Sequence, residues 1–358
     1  MHFHHLHFYV RDVAFWQAWF VHKLAFQLEP KRFSDANRRY PVVLIQGNIE
    51  IRLSGSTSGA TVTADAEANC YLQKHPPGLA DVGFASDRFD QLLVRLQRQG
   101  AQFLTQVTLN AAGQRQCQIQ GWADLRHTLV EVSSEWAAKR QQDDTAGTSW
   151  LSTVDHVVLN VPRGELSAAS DWYQRVFGLE TGQKFDITTA RSGLRSQVLI
   201  HPEGTLQLPI NEPSSANSQI QEFLNHNRGA GVQHVALRSR DAVRAIAHFR
   251  QQQLPLISVP KTYYEGLQQR SDCPVGDTSA ASRQQLLLDW TQGGKQGMLL
   301  QTFTQPIFSE PTFFFEIIER STYCEKGQTK VAQGFGEGNF QALFEAIERA
   351  QIARGSLE

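Results

Sequence analysis

The sequence predicts an α+β protein of four βαβββ modules, paired into two barrel-like halves and closed by a C-terminal lid helix. Two observations lead to this fold class. Strand-then-helix segments start near residues 5, 80, 155 and 233, a period of roughly 75 to 80 residues. Each segment joins an alternating apolar strand to an amphipathic helix, and glycine-punctuated strands fill the intervals between them.

The four segments fall into two matching pairs. Residues 5–29 and 156–180 each begin with a histidine on an alternating strand and continue into a helix that carries a tryptophan. Residues 81–102 and 234–255 each combine a short apolar strand with a helix whose apolar residues are three and four apart. Because matching positions occur at both ends of the segments, an internal duplication is favoured over a chance likeness of unrelated α/β units.

The modules divide the chain into two halves and a linker. Residues 1–136 form the N-terminal half, residues 137–150 a polar linker without apolar periodicity, and residues 151–358 the C-terminal half. Residues 339–354, NFQALFEAIERAQIAR, predict a final helix with apolar residues along one face. A glycine-rich turn precedes this helix, so we expect it to act as a lid.

Composition excludes several classes of protein. A chain of 358 residues with 41% hydrophobic and 19% charged residues suits about two globular domains. The net charge of -1 gives no field that would attract nucleic acid or an anionic membrane. No apolar run of about 18 residues and no secretory signal are found, and the four cysteines form no CxxC pair. We therefore expect a cytoplasmic protein with reduced thiols.

His156, His234 and Glu316 are the candidate metal ligands. They lie on the apolar segments VDHVVLNV, GVQHVAL and TFFFEIIER, about one module apart. Alternation along a strand gives each of them a defined face. A carboxylate on an apolar strand costs several kcal/mol unless it is paired or binds a metal, so Glu316 is the most informative of the three. Two histidines and one carboxylate with open positions are typical of non-heme iron(II) oxygenases.

The N-terminal half offers an internal comparison. His5 matches the first ligand and Glu131 matches the third, whereas the position of the second falls near Asp81 and Val82, where no histidine is available. Since two ligands hold iron weakly, this half is predicted to be metal-free. A separate histidine tract lies at its start: His2, His4, His5 and His7. Alternation is expected to split these side chains between two faces, which disfavours a specific iron site there.

Six strings resemble the 4-hydroxyphenylpyruvate dioxygenase family, which has the vicinal-oxygen-chelate fold. They are LPINEP, SQIQEFL, GAGVQHVAL, LLQTFT, PTFFFEIIER and GFGEGNFQALFEAIE. The resemblance covers nearly the whole chain and is strongest from residue 155 onward. It implies His156, His234 and Glu316 as ligands of one iron(II) ion, Fe2+, per subunit. It also implies a set of substrate-binding residues: Ser196, Asn211, Gln219, Gln233, Gln301, Phe303, Phe335, Asn339 and Phe340.

The resemblance also implies the roles of these residues. The phenylalanines form aromatic walls for a phenol ring, the amides orient the phenol and the chelating atoms, and Asn339 supports the mouth of the pocket. Gln233 immediately precedes a ligand, so a bulge or twist must bring it to the pocket, or else it supports the ligand from behind. The loop at 321–333 looks longer than in compact relatives, which affects the entrance.

The implied reaction converts 4-hydroxyphenylpyruvate and O2 to homogentisate and CO2, a step of tyrosine catabolism. The substrate supplies its own 2-oxo acid, so no separate 2-oxoglutarate is needed. A homodimer or homotetramer is expected, with no nucleic-acid or membrane partner.

Three alternatives remain open. Hydroxymandelate synthase shares the ligands and the substrate but oxidises the benzylic carbon; Phe340 and the pair Pro209 and Asn211 favour attack on the ring. A metal-free ligand-binding or resistance protein of the same fold would not need a buried carboxylate at position 316. An extradiol ring-cleaving dioxygenase would need a further catalytic histidine, for which three candidates are spare: His201, His226 and His248.

Overall fold

The computed structural model describes most of the chain. The described residues are 1–29, 41–55, 63–143, 149–188, 192–203, 206–269, 273, 278–290, 297–339, 347–348, 351–352 and 355. Among these residues, no helix combines the length and the apolar character needed to cross a membrane.

Strands of the N-terminal half form one mixed sheet in the order β2-β3-β4-β1-β5-β8-β7-β6. Its strands are β1 (His2–Val10), β2 (Gln27–Leu28), β3 (Val42–Gln46), β4 (Ile49–Gly55), β5 (Gly78–Ser86), β6 (Thr108–Leu109), β7 (Arg115–Gln120) and β8 (Arg126–Glu131). The helices of this half are α1 (Val13–Leu24), α2 (Thr63–Lys74), α3 (Phe89–Arg98) and α4 (Ser134–Asp143).

The C-terminal half repeats this sheet in the order β10-β11-β12-β9-β13-β16-β15-β14. Its strands are β9 (Thr153–Asn160), β10 (Glu180–Thr188), β11 (Gly193–Ile200), β12 (Gln207–Pro213), β13 (Gly231–Arg238), β14 (Leu287–Trp290), β15 (Met298–Phe303) and β16 (Phe314–Arg320). Its helices are α5 (Leu166–Phe177), α6 (Gln219–Asn227), α7 (Ala242–Gln251), α8 (Lys261–Gln269) and α9 (Ser279–Gln284). The identical strand order confirms the predicted α+β class and the four βαβββ modules.

The two halves also share their irregularities. The pairing of β9 with β13 leaves Asp155 and Gln233 as extra residues, each at a register shift. The pairing of β1 with β5 shifts at the corresponding places and leaves His4 and Ala80 extra. At a bulge the extra side chain no longer alternates regularly between the two faces of the sheet. Both halves have such a bulge at the same two places.

One hydrophobic core joins the halves. Phe8 on β1 contacts Phe313 with ring centroids 5.1 Å apart and an interplanar angle of 87°. Trp16 on α1 meets Phe308 of the C-terminal half at 4.6 Å. Edge-to-face contacts of this kind add to the free energy gained by burying aromatic surface. Buried apolar residues of both halves therefore belong to one continuous cluster.

Two segments differ from their sequence expectations, and a third agrees where it is described. The predicted linker at 137–150 begins inside helix α4, whose polar composition concealed it. Residues 321–333 contain a hairpin of β17 (Thr322–Glu325) and β18 (Gln328–Val331), turning at Lys326 and Gly327 with positive φ. Within the predicted final helix, Ile347, Glu348, Gln351 and Ile352 are helical, and most of its other positions lie outside the described residues.

Candidate metal centre

His156, His234 and Glu316 lie side by side on β9, β13 and β16, the three central strands of the second sheet. Glu316 Oε2 is 3.2 Å from His156 Nε2 and 3.7 Å from His234 Nε2. His156 and Glu316 are each 2% exposed. The predicted ligands are therefore brought together in a buried cluster.

This donor set fits one transition-metal ion. The three ligand atoms lie within 4.8 Å of one another. Ligand bonds of about 2.0–2.2 Å at right angles would place neighbouring donor atoms about 3 Å apart, close to the two distances found here. Two imidazoles and one carboxylate on adjacent strands occupy one side of such an ion and leave the other side open to the pocket.

Burial and charge act differently on the two histidines. Burial lowers the pKa of His234 well below its usual value, and the neighbouring His156 lowers it further. Burial also lowers the pKa of His156, but the carboxylates of Glu316 and Asp155 outweigh it and raise this pKa to about 9. The two carboxylates thus favour a positive charge at His156, whereas His234 is held neutral, the form in which an imidazole binds a metal.

Asp155, the extra residue of the β9 bulge, orients the first ligand. Its Oδ1 lies 2.9 Å from His156 Nδ1, which leaves Nε2 for the metal. Arg320 binds both Asp155 oxygens at 2.7 Å, and Arg238 binds Oδ2 at 2.7 Å. Burial alone would raise the pKa of Asp155, but the two arginines hold it well below its usual range. The sequence does not by itself identify Asp155 and Arg320 as site residues. Two features of the sequence could have indicated them: Asp155 is adjacent to His156, and Arg320 follows Glu316 by four residues.

Gln301 connects the third ligand to the mouth of the pocket. Its Nε2 donates to Glu316 Oε1 at 2.9 Å and to the Phe335 carbonyl at 3.1 Å. Its Oε1 accepts from Asn339 Nδ2 at 3.0 Å, and Asn339 Oδ1 accepts from the Tyr263 hydroxyl at 2.7 Å. This chain of hydrogen bonds fixes Gln301. Because Gln301 holds Glu316 Oε1, it also orients the carboxylate so that Oε2 faces the two histidines.

The ligands face a cavity of about 710 Å3, counting the part continuous with solvent. Predicted pocket residues that line it are Ser196, Asn211, Gln219, Gln233, Gln301, Phe303, Phe335 and Asn339. Phe340 lies outside the described residues. Gln233 directly precedes the ligand His234, so in a regular strand its side chain would point away from the pocket. The bulge at Gln233 brings its side chain to the pocket instead. Lining residues not predicted as site residues are Val158, Phe185, Ile187, Leu194, Val198, Pro209, Phe314, Gly336 and Ile347.

Aromatic rings surround the ligands. Phe314 stacks on His234 with centroids 4.8 Å apart and an interplanar angle of 15°. Phe335 meets His156 edge-on at 5.2 Å. These contacts pack the imidazole rings of both histidines against aromatic side chains. Phe314 was not predicted, because alternation alone does not separate a wall residue from core packing.

The N-terminal half places other side chains at the ligand positions. Asp81 on β5 lies opposite His7 in the strand register. It occupies the position that His234 occupies in the other half. The register of β5 with β8 brings Thr128, and not Glu131, to the position of Glu316. Asp81 accepts from the Thr128 backbone amide at 2.8 Å and from Gln118 Nε2 at 2.8 Å. The predicted match of Glu131 to Glu316 is therefore wrong: Glu131 lies three residues further along and pairs with Arg115 at 2.6 Å.

Gly336 leaves room for Gln301, so we expect Gly336→Ala to disturb the pocket. A Cβ at this position would overlap the side-chain amide of Gln301, on a backbone with φ of +78°. Displacing Gln301 removes an outer partner of Glu316, which typically costs about 10- to 100-fold in metal affinity or activity. Iron(II) titration and steady-state turnover of the variant measure this loss.

Gly327→Ala is the matched control for backbone strain. Gly327 has the same φ of +78°, but a Cβ added there would have no heavy atom within 4 Å. It sits at the tip of the β17–β18 hairpin, away from the ligands. A similar fall in iron affinity in both variants would mean that strain, and not contact with Gln301, is responsible.

The chain is also similar to known proteins. Residues 153–272 match the Glyoxalase/Bleomycin resistance protein/Dioxygenase superfamily. The chain is 35% identical to an uncharacterized protein of Synechocystis over 97% of both chains. It is 30% identical to the 4-hydroxyphenylpyruvate dioxygenase of Danio rerio, over 100% of this chain and 92% of the relative.

A solved structure of a 4-hydroxymandelate synthase mutant from Streptomyces coelicolor shares the fold, with a TM-score of 0.79 and 23% identity over 98% of both chains. The match to the Danio rerio enzyme spans both halves of the chain. On these grounds the chain belongs to the 4-hydroxyphenylpyruvate dioxygenase family.

Proposed function

We propose that the protein is an iron(II)-dependent dioxygenase that converts 4-hydroxyphenylpyruvate and O2 to homogentisate and CO2. The reaction combines oxidative decarboxylation, hydroxylation of the ring and migration of the side chain. His156, His234 and Glu316 would hold the iron. Bound iron(II) would supply a Lewis acid for the 2-oxo acid and the electrons that activate O2.

The observation that carries this proposal is the charge of the pocket. Among the described lining residues, Glu316 is the one acidic side chain, and no lysine or arginine takes part. A 2-oxo acid entering this cavity therefore finds no lysine or arginine to pair with its carboxylate, and the basic side chains it meets, His156 and His234, are the candidate ligands themselves. Because a buried unpaired charge is costly, a cation held by the ligand cluster is the remaining partner for that carboxylate. This arrangement favours a substrate whose keto and carboxylate oxygens can chelate the bound cation.

The outer part of the pocket suits a phenol ring. Phe303 and Phe335 offer aromatic surface, and both are buried. The amides of Asn211, Gln219 and Gln233 can each donate to and accept from a phenol oxygen without adding charge. Asn211 and Gln219 lie on β12 and α6 of the third module and Gln233 on β13 of the fourth, so the pocket depends on how these two modules pair.

We propose further that residues 1–136 form a supporting half and residues 151–358 the catalytic half, joined through residues 137–150. In the catalytic half, the helix predicted at 339–354 would cover the cavity. Ile347 lines the cavity, and Glu348 accepts a hydrogen bond from Ser192 at 2.9 Å, which supports a helix docked over it.

The proposal predicts homogentisate as the main product. The purified chain, loaded with iron(II) without oxygen and then given 4-hydroxyphenylpyruvate and O2, should release one CO2 per homogentisate, measured by chromatography and CO2 trapping. The matched control is 4-hydroxyphenyllactate, which lacks the keto oxygen and should yield no aromatic product. Hydroxymandelate as the main product would instead assign benzylic oxidation to this pocket.

A further inference from the structure

We propose that His4, His5 and Glu50 form a second metal site, in the N-terminal half, for a divalent first-row transition ion such as Zn2+. The site is independent of the catalytic proposal, because it uses none of the same residues. One ligand atom from each of the three lies within 4.8 Å of the others.

The bulge in β1 creates this cluster. In a regular strand, His4 and His5 would point to opposite faces, as the sequence pattern predicts. The register shift makes His4 an extra residue, and its Nδ1 lies 2.9 Å from His5 Nδ1. The expectation that alternation separates these two side chains is therefore wrong. Parallel pairing of β1 with β4 brings Glu50 alongside them.

The corresponding bulge in the other half shows what is unusual here. There the extra residue is Asp155, a carboxylate that accepts a hydrogen bond from its neighbouring histidine. Here the extra residue is an imidazole, so two ring nitrogens face each other across a distance that suits two adjacent ligands of one ion. Glu50 on β4 is the one carboxylate of this cluster and supplies the anionic ligand.

The surroundings favour a neutral His5 and hold both rings in place. His4 and His5 are 7% and 1% exposed, and His4 stacks on Trp136 at 5.8 Å. Burial lowers the pKa of His5 well below its usual value, with Arg52, His4 and His7 adding to the effect. His5 Nε2 is buried without a hydrogen-bond partner in the described part of the chain, so hydrogen bonding alone does not satisfy this ring.

Neighbouring residues fix the positions of His5 and Glu50. Gly83 faces His5, and a Cβ there would overlap the imidazole ring, so the glycine makes room for it. Arg52 Nε binds Glu50 Oε1 at 2.7 Å and fixes the carboxylate beside the histidines. Two imidazoles with one carboxylate favour Zn2+, Co2+, Ni2+ or Cu2+ over the oxygen-preferring Mg2+ and Ca2+.

The test counts Co2+ equivalents by visible absorption and equilibrium dialysis on the intact, chelator-stripped chain. The wild-type chain should bind two equivalents, and Zn2+ should displace both. Glu316→Gln should retain one equivalent, and adding Glu50→Gln should remove it. His4→Gln in the Glu316→Gln chain should have the same effect, and circular dichroism checks that each variant folds.

The exposed His22 on α1 provides a matched control. His22→Gln should leave both equivalents in place. Two results would overturn the proposal: a single equivalent in the wild-type chain that Glu316→Gln removes, or a second equivalent that persists when both His4→Gln and Glu50→Gln are present.

Discussion

Glu316→Gln should reduce iron(II) affinity by more than about 100-fold and abolish dioxygenase turnover. Glutamine keeps the shape of the side chain and its contact with Gln301, but it removes the anionic ligand. Outer partners of metal ligands typically contribute about 10- to 100-fold, so the loss of a direct ligand should exceed that range. Anaerobic iron(II) titration and homogentisate formation measure the two effects separately.

Glu131→Gln is the control for this variant. Glu131 lies on the corresponding strand of the other half, where it pairs with Arg115 and is 37% exposed. Solvent screens such a pair, and no candidate ligand contacts it in the described residues. Iron affinity and turnover should therefore stay at wild-type values. Equal losses in the two variants would contradict the assignment of the iron site to the C-terminal half.

Asp155→Asn should both destabilise the protein and weaken iron binding. The asparagine leaves Arg320 and Arg238 without their counter-charge, and Arg320 is 8% exposed. Breaking a buried ion pair in this way typically costs about 3–5 kcal/mol of unfolding free energy. His156 also loses the negatively charged acceptor of its Nδ1 hydrogen bond and keeps at most a neutral amide oxygen, which should lower iron affinity by about 10- to 100-fold.

Denaturant unfolding and iron(II) titration measure these two effects of Asp155→Asn. Asp171→Asn, exposed on α5, provides the control and should change neither quantity. An Asp155→Asn chain with wild-type stability and iron affinity would show that the arginines and His156 do not depend on this carboxylate.

The sequence predicts the module architecture and the ligand cluster well, for a physical reason. Strand alternation and a repeat period are local patterns that survive in a single sequence. A buried carboxylate such as Glu316 stands out because few structural roles tolerate it. These signals suffice for the fold class and for bringing His156, His234 and Glu316 together.

The errors arise where pairing between strands decides the geometry. Whether His4 joins His5, and whether Asp155 reaches His156, depends on bulges that only the register against β5 and β13 reveals. The same holds for Glu131, whose place relative to Glu316 depends on how β8 pairs with β5. Phe340, on which the choice between ring and benzylic attack partly rests, lies outside the described residues.

The aromatic contacts between the halves bear on how the protein can be produced and dissected. Phe8 and Trp16 complete the packing of Phe313 and Phe308, so a fragment that begins at residue 151 would expose those rings to water. Exposed apolar patches promote aggregation. The N-terminal half thus keeps this apolar surface of the other half out of water, and we expect a fragment of residues 151–358 to aggregate where the undivided polypeptide does not.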